Sequence, residues 1–103
     1  MQLKYMNMPA YVIGRLQIHD PSWVADYVAK NEIILRKHGG RYVVRTGHIE
    51  PLEGDTPLPG GMVVLEFPSQ EHARAWHRDP EYAPLIKRRQ RGATGDAVLV
   101  DGI

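Results

Sequence analysis

Apolar residues recur along this chain in two rhythms, one of strands and one of helices. From Ala10 to Ile18 the run Ala-Tyr-Val-Ile-Gly-Arg-Leu-Gln-Ile is rich in β-branched and aromatic residues, a composition that suits a half-buried strand. It stops at His19. Asp20-Pro21 has the chemistry of a helix start, since the carboxylate can accept orphan backbone N–H bonds and proline fits the first turn without losing a needed donor. Val24, Tyr27, Val28, Ile34 and Leu35 then fall on one stripe at helical spacing, and Gly39-Gly40 supplies a left-handed stop. Arg41 to Ile49 returns to strand composition. Pro51 to Gly61, with three prolines and three glycines, predicts a loop, and Met62 to Phe67 a third strand. Pro68-Ser69 opens a second helical stretch, with Glu71 near its positive end. Asp79-Pro80 breaks and restarts it, so that Tyr82, Leu85, Ile86 and Arg89 share one face. Gly92 and Gly95 are expected to close this helix, and Ala97 to Val100 to form the last strand.

Strand, helix, strand, strand, broken helix, strand is the order of the ferredoxin-like βαββαβ motif: an α+β fold with a four-stranded antiparallel sheet and helices on one face. A single domain over residues 1–103, with its core in 10–102, accounts for the whole length. The third strand adds a further expectation. Val63, Leu65 and Phe67 fill one of its faces, yet Met62 and Val64 on the other are apolar too, and Tyr11 and Ile13 share a face of the first strand. A sheet with one solvated face should alternate apolar and polar. At about 25 cal/mol per Å² of apolar surface, leaving such a face in water forgoes a few kcal/mol. Packing against the sheet of a second copy removes the exposure, so a homodimer is expected.

Composition narrows the function classes. With 43% hydrophobic and 24% charged residues the chain is of ordinary globular type, and a formal net charge of +1 gives no field to gather nucleic acid or an acidic membrane. No cysteine is present, which removes disulfides, thiolate metal sites and thiol nucleophiles together. Met1 to Met8 lacks a basic stretch followed by a long apolar run, and no segment approaches the roughly 20 apolar residues of a membrane span. The expectation is a cytoplasmic protein without nucleic-acid or membrane partners.

Five strings in unbroken order carry a resemblance: Lys37-His38-Gly39-Gly40-Arg41-Tyr42-Val43-Val44-Arg45, Leu52-Glu53-Gly54-Asp55, Val63-Val64-Leu65-Glu66-Phe67-Pro68-Ser69, Asp79-Pro80-Glu81-Tyr82 and Val98-Leu99-Val100-Asp101-Gly102. From about Tyr11 to Gly102 the chain resembles the uncharacterised bacterial family catalogued as domain of unknown function 1330, within the dimeric α/β-barrel group. It departs from the family pattern at Thr46, where a second glycine is usual, and in the loop holding Pro57, Pro59, Gly60 and Gly61. The resemblance implies two ferredoxin-like sheets closed into a barrel across a dimer, and a pocket between sheet and helices. Related barrels include cofactor-free monooxygenases acting on quinone-like aromatics, small-lactone isomerases and haem-handling proteins, so enzyme function is an analogy of fold.

Among individual residues Arg89 is the most informative, because it shares the sheet-facing stripe of Tyr82, Leu85 and Ile86. An arginine aimed at a core needs an acid, a carbonyl or a ligand. It is either an anion anchor, as the family's arginine at this place also implies, or a residue snorkelling to water at the helix end. Arg45 pairs with Glu66 across the hairpin if both fall on one face; otherwise Arg45 is a second anchor and Glu66 a possible base. Tyr27, Tyr82 and Trp76 lie on apolar helical faces, so they read first as core aromatics and then as the aromatic part of a ligand site. His38 continues the stripe of the first helix and could reach the sheet as a base, or simply cap the helix end. His72 and His77 are five apart in sequence, and no metal-ligand spacing occurs among the five histidines, so neither a metal nor another cofactor is implied. The basic run Lys87, Arg88, Arg89, Arg91 reads as a solvated helix face.

The leading expectation is a dimeric domain that binds a small anionic or aromatic metabolite, with Arg45, Arg89, Tyr82, Tyr27 and Trp76 at the site. Two alternatives stand beside it: a cofactor-independent monooxygenase or isomerase using His38 or Glu66 to remove a proton, and a structural dimer without ligand.

Overall fold

A computed structural model describes residues 8–103; residues 1–7, on which the expectation of no targeting segment partly rests, lie outside the described residues. Strand β1 spans Ala10–Ile18, and a 3-10 turn at Pro21–Trp23 leads into helix α1, Val24–Lys37. Asp20 caps this start as its chemistry suggests, its carboxylate accepting the Ser22 N–H at 2.9 Å. At the other end Gly39 takes φ +74°, and Gly40 donates its N–H back to the Leu35 carbonyl at 2.7 Å, so the carbonyls of the last turn are satisfied. Strand β2 follows at Arg41–Thr46, shorter than the expected Arg41–Ile49, and β3 runs over Gly61–Phe67. Helix α2, Gln70–His77, is capped by the Ser69 hydroxyl, which accepts from the His72 N–H at 3.2 Å. Asp79 breaks the helix as expected. Its carboxylate accepts the Glu81 N–H at 2.9 Å, and helix α3 begins at Ala83 and ends at Gly92.

The last strand, β4, is longer than its pattern suggests: it spans Ala93–Asp101 directly after α3. Gly95 does not close the helix. It sits opposite Leu16 with φ +152°, where any side chain would strike the Arg15 carbonyl. The glycine marks close strand approach; a helix stop and such an approach both select glycine, so residue type alone does not separate them.

The strands form one antiparallel sheet in the order β2-β3-β1-β4, and the chain therefore has the ferredoxin-like arrangement. One face packs on the helices. Trp23, Tyr27, Ile34, Leu35, Leu65, Phe67, Ala73, Trp76, Tyr82 and Leu85 join in a single buried cluster, and the helical stripes foreseen for α1 and α3 are the faces that enter it. On the opposite face Val44 pairs with Val64, Val64 with Ile13 and Ile13 with Val98, an apolar row crossing all four strands. Among the described residues no helix is long and apolar enough to cross a membrane.

Candidate functional site

The space between sheet and helices is filled at one end and empty at the other. Where β1 starts and β3 ends, Phe67 stacks 5.4 Å from Trp76, and Trp76 lies 4.4 Å from Tyr82, centroid to centroid. Toward the far end of β1 the helix-facing positions become small. Gly14 lies opposite Ala97 and Val63, and Leu16 opposite Gly61 and Gly95. With so little side-chain volume on the sheet, a cavity of about 540 Å³ opens beneath α1 and α3, within the range of small-molecule sites. Val12, Leu16, Trp23, Val24, Val28, Val63 and Leu65 give it apolar walls, and Tyr27, Tyr42, Arg45, His77, Tyr82 and Arg89 supply most of its polar groups.

Arg89 is half-buried at this cavity, held there by the stripe that puts Tyr82 and Leu85 in the core. Its Nη1 donates to the Tyr27 hydroxyl at 3.0 Å and the Tyr82 hydroxyl at 2.8 Å, and those two oxygens stand 2.5 Å apart. It has no carboxylate partner among the described residues. Burial works against its charge, but the two tyrosines outweigh burial and its pKa is raised. Burial likewise pushes the Tyr82 hydroxyl well above the ordinary phenol value, and that of Tyr42 up to about 12.

Arg45 reaches the same cavity through an irregularity that no residue pattern announced. Between Tyr42 and Val44 the β2–β3 register shifts, so Tyr42 faces Leu65, Val44 faces Val64 and Arg45 faces Val63. A bulge of one residue exchanges the two faces for everything beyond it. The ion pair between Arg45 and Glu66 therefore does not form, and Arg45 lies over the Tyr42 ring, 5.1 Å from its centroid. Glu66 instead occupies the open face. There it accepts the Tyr11 hydroxyl at 2.8 Å and meets Arg41 at 2.8 Å, and both partners hold its pKa below the usual carboxylate range.

His38 also lies away from the cavity. Its Nε2 is 2.7 Å from the Asp79 carboxylate, which Lys37 reaches at 2.7 Å as well, so the ring closes the end of α1. Asp79 is buried, and hydrogen bonds from Lys37, His38 and the Glu81 backbone depress its pKa strongly. Trp76 stands behind the site: it backs Tyr82, and its Nε1 donates to the Asn31 carbonyl oxygen at 2.9 Å.

Sequence reasoning missed Asn31 and Tyr42. Asn31, fully buried, donates Nδ2 to the Tyr42 hydroxyl at 3.0 Å and so ties α1 to β2 behind the cavity wall. Its signal was present, since a lone amide on an otherwise apolar stripe requires partners. His77 was considered only for metal spacing and lines the cavity. Among the described residues no group of three His, Cys, Asp or Glu is placed to hold a metal ion.

A family model described as a domain of unknown function, DUF1330, matches residues 9–103. No curated protein matches the chain. Among solved structures, the chain is similar to a protein of unknown function from Rhodopseudomonas palustris, with 20% identity and TM-score 0.73 over 92% of this chain and 81% of that one. It is also similar to a cofactor-independent oxygenase from Streptomyces nogalater, with 14% identity and TM-score 0.65 over 90% and 91% of the two chains. A third likeness is to a dabb family protein with a ferredoxin-like fold from Mesorhizobium loti, with 12% identity and TM-score 0.62 over 93% and 96%. At these identities the likenesses concern the fold.

Proposed function

The chain belongs to the DUF1330 family, which is described without an activity, and from the site itself we propose that it binds a small anionic or aromatic metabolite in the cavity between sheet and helices. The observation that carries this reading is Arg89, a half-buried guanidinium on an apolar-walled cavity whose polar contacts are two tyrosine hydroxyls and no acid. A buried charge without a counter-charge costs several kcal/mol unless something supplies one, and an anionic ligand does. Arg45 adds a second cation at the more exposed part of the same wall.

The geometry favours binding over the two alternatives. For turnover by a cofactor-independent monooxygenase or isomerase, the residues expected to remove a proton were His38 and Glu66, and neither lines the cavity; His77, which does, is exposed and makes no hydrogen bond to Arg89, Tyr27 or Tyr82. A dimer without ligand calls for a filled interior and for both arginines on protein acids, and the cavity is open with neither arginine so paired.

The reading includes a homodimer joined through the open sheet face. Its support is the row Val44, Val64, Ile13, Val98, where Val98 is 51% and Val44 38% exposed in the single chain. Sedimentation is expected to give a dimer at micromolar concentration, and Ile13→Lys, at the centre of the row, a folded monomer. A monomeric parent overturns the dimer.

For the ligand, thermal-shift measurements with a panel of aromatic carboxylates and phenols are expected to raise the melting temperature of the parent, and to leave Arg89→Ala unmoved. If no compound stabilises the parent more than the variant, the binding reading fails.

A further inference from the structure

The cavity's polar atoms can be sorted by what they still have to offer. Tyr27 and Tyr82 share one hydrogen bond between their hydroxyls, and each oxygen also accepts from Arg89. One hydroxyl hydrogen of the pair is therefore left without an acceptor among the described residues. The Nε and Nη2 hydrogens of Arg89 are likewise free of protein acceptors there. Tyr42 repeats the arrangement on β2: its oxygen accepts from Asn31, and its own hydrogen has no acceptor among the described residues. Asn31 turns its Nδ2 donor to that hydroxyl, while its carbonyl oxygen accepts from Trp76.

The acid on the lining, Asp96, is engaged by Arg15 at 3.2 Å. The remaining ionisable groups facing the space are Arg45 from β2, which is cationic, and His77 from α2. Around Arg89 the wall thus presents hydrogens and positive charge, the complement of an anion rather than of an amine. Tyr82 and Tyr42 are phenols, protonated at neutral pH, and burial raises both pKa values further, so both stay donors.

We infer that Arg89, Tyr27 and Tyr82 form an oxyanion site, and that a phenol entering the cavity is bound as its phenolate, with the ring against the apolar wall and its proton released to solvent. This rests on the ligand-binding reading above and sharpens it: the favoured ligand class is an aromatic oxygen acid bound as the anion. The bond that breaks is the phenol O–H. The electron pair stays on oxygen, where the guanidinium and the free hydroxyl hydrogen converge.

The test uses 4-nitrophenol, whose anion absorbs in the visible, titrated with acid and base in the presence of saturating protein. The bound probe is expected to ionise about one pH unit below the free probe, which corresponds to roughly tenfold tighter binding of the anion than of the neutral form. Arg89→Gln is expected to abolish the shift and Tyr27→Phe to reduce it. Lys87→Gln, the same charge change on the exposed side of α3, is expected to retain it. Circular dichroism checks that each variant is folded, and the parent titration decides the matter by itself if one is not. A bound midpoint at or above the free value overturns the oxyanion site and leaves ligand binding standing. Failure of the probe and of the whole carboxylate and phenol panel to bind overturns both.

Discussion

The two ends of the layer between helices and sheet are made from the same strands and reach opposite outcomes. At the filled end Phe67 is 1% exposed against Trp76, and the buried carboxylate there, Asp79, is met by Lys37, His38 and a backbone N–H. At the empty end Gly14, Gly61, Gly95 and Ala97 leave the sheet without bulk, and the half-buried charge there, Arg89, meets no acid among the described residues. One end is complete in itself. The other keeps an open cavity beside a guanidinium that has no carboxylate partner among the described residues, the space the proposed ligand would take.

The contrast is broken most severely at the filled end. Phe67→Ala is expected to cost about 3–5 kcal/mol in chemical denaturation, because the vacated volume cannot be taken up by a layer already packed. A loss below about 1 kcal/mol would mean that the two ends are equally loose. Asp79→Asn probes the same end through acid. The Asp79 pKa is lower in the folded chain than in the unfolded one, so its contribution is present at neutral pH and is lost as the pH falls below about 4, toward the depressed value. In the variant, stability should be lower at pH 7, and the acid-side decline shallower than in the parent. A parallel decline in both proteins would show that another carboxylate governs it.

The smallest effect on stability is expected at the empty end. A Cβ on Gly14 would meet only ordinary contacts, 3.8 Å or more away. Gly14→Val should therefore raise stability by about 0.5–1 kcal/mol through the backbone term, while its side chain enters the cavity and abolishes the ligand-induced melting shift. Destabilisation, with ligand binding intact, would place the cavity elsewhere.

Much of this fold is written locally. β1 has the bounds its composition indicates, Asp20 and Ser69 cap where capping chemistry puts them, and Tyr82, Leu85 and Arg89 share the face their spacing assigns. Errors fall where a residue type serves two purposes or where geometry is set by a partner strand. Gly95 was read as a helix stop and is a point of close strand approach. Arg45 pairs with Glu66 only if both fall on one face, and the register shift after Tyr42 sends them to opposite faces, which leaves Arg45 to its other reading at the cavity.

The order of elements, the apolar face of each helix and the second apolar face of the sheet are legible in the chain, because they follow from periodicity and capping within a few residues. What Arg45 and Arg89 meet is set by the folded arrangement. Arg41 took Glu66, the bulge turned Arg45 inward, and the fold carried Tyr27 and Tyr82, 55 residues apart, to the two sides of Arg89. Whether a charge is answered by protein or left for a ligand depends on neighbours distant in the chain, and no local pattern records them.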